Sequence, residues 1–253
     1  MRIAKTVSTK STGYVADFCA ICRKTNRFQL LQLNYRVTVN SIPAGDEKIT
    51  GYYRVCLDCD TAYAAEPAIY PVLCRKLEPL DEMHRTLPKP NKKSQERLEI
   101  EELIKNSLNS IPEEMRLELM QEPFLVLSPI VDTKLGSFYL DELGYLLFLL
   151  SVGLTLGIIL YSGIAGPQPD GLLLAVASIA TGLITIVFYK LREKTKFIMK
   201  FLIPNLAKAL KPLKPSDIEL VFLVNLMKAG NLRIGKILTN HHISLISRMI
   251  NSN

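Results

Sequence analysis

Four of the five cysteines fall into two Cys-x-x-Cys pairs, Cys19 with Cys22 and Cys56 with Cys59. A tight turn across each pair directs two thiolates at one ion, so two pairs complete a tetrahedral site. Such a site keeps no open coordination position, and four thiolates without a histidine or water ligand do not match hydrolytic zinc chemistry. The spacing therefore predicts a structural metal centre.

The segment between the two pairs is typical of β structure. Residues 28 to 39 and 49 to 55 are rich in β-branched and aromatic side chains, and IPAGDEK between them supplies a turn. The pattern FCAIC, NYRVTVNSIPAG and GYYRVCLDC resembles a zinc ribbon and is similar to ribbon domains of uncharacterised membrane-associated proteins. The resemblance covers about residues 15 to 66 and implies the same four cysteine ligands. Arg23 and Asp60 stand where ribbons often have glycine.

Zinc is the expected cofactor, although the same four thiolates could hold a rubredoxin-type iron. The alternative is two unrelated thiol pairs, one of them redox-active. Cys74 has no partner and is interpreted as a buried small apolar residue. His241 and His242 are adjacent and would point about 100° apart on a helix, so they are predicted to be surface histidines that share no metal.

Two apolar segments, residues 143 to 162 and 171 to 189, contain no charged residue. At about 1.5 Å per residue, 20 residues match the roughly 30 Å hydrocarbon core of a bilayer. The segment between them contains glycine and two prolines, which favours a turn. We therefore predict a transmembrane hairpin in a two-span, multi-pass protein. The alternative is a pair of buried helices in a soluble core. Small residues are predicted to let the two backbones approach: Gly153, Gly157, Ser178 and Gly182.

Basic residues follow the second apolar segment, whereas the turn before it carries only Asp170. The positive-inside bias then predicts that both termini are cytosolic. The residues predicted to lie at the membrane surface, against anionic lipid headgroups, are Lys190, Arg192, Lys194, Lys196 and Lys200. The alternative is that these charges serve only as a topology signal.

Two capping boxes predict helix starts in the remaining sequence. Ser110 with Glu113 predicts a short helix that ends at Met120, and Ser216 with Glu219 predicts one that ends near Lys228. Residues 190 to 253 carry 12 Lys and Arg against three acidic residues, so the positive net charge of the whole chain, +7, comes from this tail.

These patterns divide the chain into four segments and predict an α+β membrane protein. Residues 1–86 form the β-rich zinc-ribbon domain, and 87–142 a linker with amphipathic helices. Residues 143–189 form the transmembrane hairpin, and 190–253 a basic juxtamembrane segment with C-terminal amphipathic helices.

Neither an acid/base pair nor a nucleophile triad nor a phosphate-binding loop is visible, so no enzyme is predicted. The leading hypothesis is a membrane-anchored zinc-ribbon scaffold or adaptor that recruits a protein partner, or a second copy, at the cytosolic membrane face. The first alternative is binding of nucleic acid or nucleoprotein by cations and aromatic residues of the ribbon. Those residues are Arg23, Lys24, Arg27, Arg36, Tyr35, Tyr52 and Tyr53. The second alternative is rubredoxin-like electron transfer by iron.

Overall fold

The computed structural model of the 253-residue chain describes residues 3–39, 42–86, 92–107, 111–136, 142–165 and 169–252. The chain forms two compact units. The first combines Met1–Asp132 with Ile203–Asn253, and the second is Thr133–Leu202. The N-terminal and C-terminal parts, which the sequence analysis treated as separate segments, therefore belong to one unit.

An antiparallel sheet forms the N-terminal part of the first unit. Its strands are β1 (Ile3–Cys19), β2 (Lys24–Val39), β3 (Ile42–Pro43), β4 (Lys48–Cys56) and β5 (Ala62–Ala64). The order is β1, β2, β4, β5, and β3 pairs with β2. Alternation along the strands buries Val15, Phe28 and Leu30, which is the period of two that a sheet with one covered face requires. The prediction of a β-rich N-terminal region is confirmed.

Helices complete the chain: α1 (Leu80–Thr86), α2 (Lys92–Asn106), α3 (Glu113–Gly136), α4 (Glu142–Ala165), α5 (Pro169–Phe197), α6 (Ile203–Leu210), α7 (Asp217–Ala229), α8 (Arg233–Ile237) and α9 (Asn240–Asn251). The helix predicted to end at Met120 continues to Gly136, because Phe124, Leu127 and Val131 are fully buried beyond that point. This burial, about 2 kcal/mol per side chain, is comparable to the cost of Pro123 and Pro129 within the helix, about 3 kcal/mol each. Ser110 lies outside the described residues.

The capping box predicted at Ser216 is confirmed. The Glu219 amide donates to the Ser216 hydroxyl at 3.3 Å, and the Ser216 amide donates to the Glu219 carboxylate at 2.7 Å. Arg116 on α3 also pairs with Glu219 and donates to the Leu213 carbonyl at 3.2 Å. The Arg116 guanidinium lowers the pKa of Glu219 to about 2. These contacts attach the start of α7 to α3.

The second unit is built from α4 and α5, which pack against each other. The Thr155 hydroxyl donates to the Ser178 hydroxyl at 3.2 Å, and a Cβ added to Gly182 would collide with Ser151. A Cβ at Gly153 or Gly157 would meet nothing within 4 Å, so of the four predicted small residues only Ser178 and Gly182 lie at a close helix contact. The outward faces carry exposed apolar side chains such as Leu150, Leu160 and Phe188.

No helix, among the residues that the structure describes, combines the length and the apolar character needed to cross a membrane. This finding contradicts the transmembrane hairpin predicted at 143–162 and 171–189, and with it the integral-membrane fold class, two-span location and orientation. The side chains described in α4 run from 144 to 160, fewer than the roughly 20 residues that a bilayer core requires. In α5 the uncharged run ends at Lys190, and Arg192 and Glu193 follow within one turn. The fold class is α+β.

Candidate metal centre

The four predicted ligands come together because two turns lie at the same end of the sheet. Cys19 is the last residue of β1, and Cys22 lies in the turn that leads into β2. Cys56 is the last residue of β4, and Cys59 lies in the turn before β5. Since β2 pairs with both β1 and β4, the sheet register holds the two turns side by side.

The four sulfur atoms all lie within 4.8 Å of one another. Cys19 Sγ is 3.6 Å from Cys59 Sγ, and Cys22 Sγ is 3.9 Å from Cys56 Sγ. Four bonds of about 2.3 Å in tetrahedral geometry would place the sulfurs about 3.8 Å apart, so the donor set fits one metal ion. Cys22 is half-buried and the other three are buried. The prediction is confirmed to this extent: the four cysteines can hold a metal ion in a β-rich region compatible with a zinc-ribbon knuckle.

Crowding of the thiols also favours a bound cation. Hydrogen bonding with Cys22, Cys56 and Cys59, together with burial, raises the pKa of the Cys19 thiol. Four thiolates so close together repel each other, and a divalent cation removes that repulsion. All four thiolates are then ligands, so the centre is closed.

Left-handed backbone conformations end both turns. Arg23 and Asp60 each have φ = 53°, the region that glycine adopts most easily. In this conformation the Arg23 amide donates to the Cys19 carbonyl at 2.6 Å, and the Asp60 amide donates to the Cys56 carbonyl at 2.9 Å. The absence of glycine at these positions therefore did not change the turn type.

Asp60 is exposed, so its replacement isolates the backbone effect. We expect Asp60→Gly to raise the free energy of unfolding by roughly 0.5–1 kcal/mol, because glycine relieves the left-handed strain. The matched variant Asp60→Val should lower it by more than that, since a β-branched residue tolerates positive φ poorly. Denaturant unfolding of the metal-loaded protein measures both. Equal stability of the two variants would contradict the assigned turn.

Side chains beyond the four ligands also contact the sulfurs. The Tyr63 hydroxyl lies 3.2 Å from Cys19 Sγ, and Asn26 Nδ2 donates to Cys56 Sγ at 3.6 Å. Burial, followed by the neighbouring Cys19, raises the pKa of Tyr63, so its hydroxyl stays protonated and can donate. Hydrogen bonds of this kind orient metal ligands and stabilise their charge.

The C-terminal helix α6 packs directly on the two turns. Lys208 Nζ donates to Cys22 Sγ at 3.3 Å, and Asn205 Nδ2 donates to the Cys59 carbonyl at 3.2 Å. Burial alone would lower the pKa of Lys208, but the hydrogen bond to Cys22 outweighs it and the pKa rises. These two contacts thus join residues that are separated by 186 and by 146 positions in the chain.

Arg23 joins the first turn to two helices. Its Nε donates to Glu101 on α2 at 2.8 Å, and its Nη1 donates to the Ala209 carbonyl on α6 at 3.3 Å. The side chains of Arg23 and Glu101 are only 4% and 5% exposed. A buried pair of this kind specifies which helix surfaces meet, because neither charge can be left alone.

A second polar cluster fastens α2 to the sheet. Asp17 on β1 forms an ion pair with Arg54 on β4 and accepts hydrogen bonds from Tyr70 and Ser94, each at 2.6 Å. The Arg54 guanidinium also lies 4.8 Å from the centre of the Phe28 ring. Asp17 is buried, so these contacts compensate the removal of its charge from water.

The other residues singled out by sequence differ in their surroundings. Lys190 pairs with Glu193 at 3.1 Å, and Arg192, Lys194, Lys196 and Lys200 are exposed in the second unit. Among the ribbon cations, Arg23 is buried and Lys24 faces Asp58 at 3.3 Å. His241 is exposed, and the Thr239 amide donates to His242 Nδ1 at 3.2 Å.

Cys74 is buried, as expected, and its backbone forms a bridge with Tyr14. The Tyr14 amide donates to the Cys74 carbonyl at 2.8 Å, and the Cys74 amide donates back at 3.0 Å. Gly13 permits this approach, since a Cβ there would lie 2.9 Å from the Cys74 carbonyl oxygen.

Sequence reasoning missed the residues that surround the ligands, including Asn26, Tyr63, Glu101, Asn205 and Lys208. Only Arg23, which directly follows a Cys-x-x-Cys pair, carried a local signal. Comparisons with protein-family models, with curated proteins and with solved structures returned no match for this chain.

Proposed function

We propose that this protein is a scaffold in which a structural zinc ion joins the N-terminal sheet to the C-terminal helices, and that the joined unit binds a protein partner. The observation that carries the proposal is the docking of α6 on both cysteine turns. Asn205 contacts the second turn, and Lys208 and Ala209 contact the first. The metal then stabilises a contact between opposite ends of the chain.

Zinc suits this role because it has no redox chemistry and no preferred geometry beyond what the ligands impose. The four sulfur atoms already approximate a tetrahedron, so binding requires little rearrangement. Hydrogen bonds from Lys208 and Asn26 to the sulfurs partly neutralise the charge of four thiolates. A non-catalytic role follows from the donor set, because every thiolate is a ligand and none remains to attack or release a substrate.

Metal analysis combined with partner capture on the full-length protein tests the proposal. We expect one zinc per chain, no visible absorption, and a stable partner or a second copy that co-purifies with the wild-type protein. Cys56→Ser should lose both the zinc and the partner, because α6 is no longer held on the turns.

The matched control is Cys74→Ala, which changes a buried cysteine outside the centre and should keep both. Red colour and iron would contradict the zinc assignment and favour electron transfer. A wild-type protein that recovers no partner and does not self-associate would contradict the scaffold role. If Cys56→Ser still binds the partner, partner binding does not require the metal, which contradicts the proposed role of the metal.

A further inference from the structure

Each of the four sulfur atoms has a hydrogen-bond partner besides the other cysteines, and these partners come from two parts of the chain. Three of them lie on or next to the strands: Tyr63 at 3.2 Å from Cys19 Sγ, Asn26 at 3.6 Å from Cys56 Sγ and Thr61 at 3.3 Å from Cys59 Sγ. The partner of Cys22 is Lys208 on α6, whose Nζ donates to Sγ at 3.3 Å. The sheet region therefore supplies three of these contacts, and α6 supplies the fourth.

Cys22 is also the ligand that solvent reaches most easily. It is half-buried, whereas the other three cysteines of the centre are buried. A thiolate is a nucleophile, and its reaction with reagents from solution depends on access to the sulfur. Lys208 is exposed and contacts this accessible sulfur. The most accessible ligand is thus the one that α6 contacts.

Two contacts fix α6 on either side of Lys208. Asn205, one turn earlier, donates to the Cys59 carbonyl at 3.2 Å, and Arg23 donates to the Ala209 carbonyl at 3.3 Å. The two chain neighbours of Lys208 on α6 are both buried. Because these contacts and this burial hold the helix in one orientation, the fold determines that Lys208 lies over the first turn.

The charge of a bound metal centre favours this contact. Four thiolates exceed the charge of one divalent cation by two, so a zinc centre of this kind is anionic. Metal binding displaces thiol protons, so the metal-free protein carries less of that negative charge. A nearby ammonium therefore stabilises the metal-bound state more than the metal-free state. Asp58, in the second turn, pairs with Lys24 at 3.3 Å, so its carboxylate is partly compensated.

We propose that Lys208 is a positioning residue of the zinc centre, which strengthens metal binding and protects the Cys22 sulfur from electrophiles in solution. Both effects follow from one contact, because a hydrogen bond from an ammonium stabilises the charge of the sulfur and engages one of its lone pairs. This inference rests on the proposed scaffold, in which zinc holds α6 on the turns. It adds that α6 in turn controls how tightly the zinc is held and how readily its exposed ligand reacts.

Competition with a chelator of known zinc affinity, on the full-length protein, tests the effect on metal binding. Lys208→Met keeps a long side chain but removes the charge and the donors, and should weaken zinc binding about tenfold. Lys208→Arg keeps a cation with N–H donors and should restore wild-type affinity. The matched control is Lys211→Met, which removes an exposed lysine that donates to the Ser252 carbonyl at 2.8 Å and should leave the affinity unchanged.

Alkylation of the zinc-loaded proteins by iodoacetamide, read by peptide mass spectrometry, tests the protection of the sulfur. We expect Cys22 to react several-fold faster in Lys208→Met than in the wild-type protein, Lys208→Arg or Lys211→Met. Cys74, which is buried outside the centre, should react equally slowly in all four proteins. Hydrogen exchange of residues 203–210 shows whether α6 stays docked in each variant.

The other outcomes would overturn the proposal. They are unchanged affinity and alkylation in Lys208→Met, no restoration by Lys208→Arg, or equal effects of Lys208→Met and Lys211→Met. Loss of α6 protection in Lys208→Met would also overturn it, because the lysine would then serve only to dock the helix. Each of these results leaves the zinc scaffold standing, whereas a wild-type protein without zinc or without α6 protection would contradict the scaffold itself.

Discussion

Replacing Cys56 with serine is expected to release the metal and to detach α6 from the cysteine turns. A structural zinc site contributes roughly 10–16 kcal/mol to the folding of small zinc-finger peptides, as much as the total stability of many domains. Serine offers a poor ligand in place of the Cys56 thiolate, and without the metal nothing ties the two cysteine turns, whose sulfur atoms lie within 4.8 Å of one another, to a common centre. We therefore expect the first unit to lose cooperative unfolding and α6 to lose protection from amide exchange.

Hydrogen exchange by mass spectrometry on the full-length protein measures this directly, peptide by peptide. The protection of residues 203–210 should fall together with that of the cysteine turns. Cys74→Ala is the matched control and should cost only about 1–2 kcal/mol, while the metal and the α6 protection are retained. If α6 stays protected in Cys56→Ser, the metal does not join the two ends of the chain.

The second large effect is expected at the buried pair of Arg23 and Glu101. Replacing Glu101 with leucine leaves the Arg23 guanidinium buried without its counter-charge, which should cost about 3–5 kcal/mol. The double variant Arg23→Met with Glu101→Leu should recover most of that loss, since neither charge then remains buried. Arginine in the wild-type protein and methionine in the variant must adopt the same left-handed conformation at position 23, so the backbone strain is the same in both proteins.

A double-mutant cycle from denaturant unfolding of the metal-loaded protein gives the coupling energy of the pair. The exposed pair of Arg233 and Asp132, 3.8 Å apart, is the matched control, and Asp132→Asn should cost less than about 0.5 kcal/mol. Equal losses at Glu101 and Asp132 would show that the buried pair does not hold α2 and α6 on the first turn.

Local sequence determined the four candidate metal ligands and several elements. The two Cys-x-x-Cys pairs predicted the thiolate cluster, because the turn needed to converge two sulfurs is encoded within four residues. Ser216 and Glu219 predicted the start of α7 for the same reason, since a capping box closes within one turn. The β-rich segment between the pairs followed from side-chain type and period.

The apolar segments show where such local reading fails. They predicted the helices α4 and α5, but the inferred membrane spans are contradicted by the described parts of those helices. An apolar run indicates that side chains avoid water, and it does not state what covers them.

Only the tertiary structure decided how the metal centre is surrounded. Arg23 meets Glu101 across 78 positions and Ala209 across 186, and Lys208 reaches Cys22 across 186. No residue period links such distant positions, because these contacts depend on how the sheet and helices pack rather than on local backbone geometry. The sequence therefore determined which four thiols can hold a metal ion, and the packed fold determined that α6 lies against the two turns that carry them.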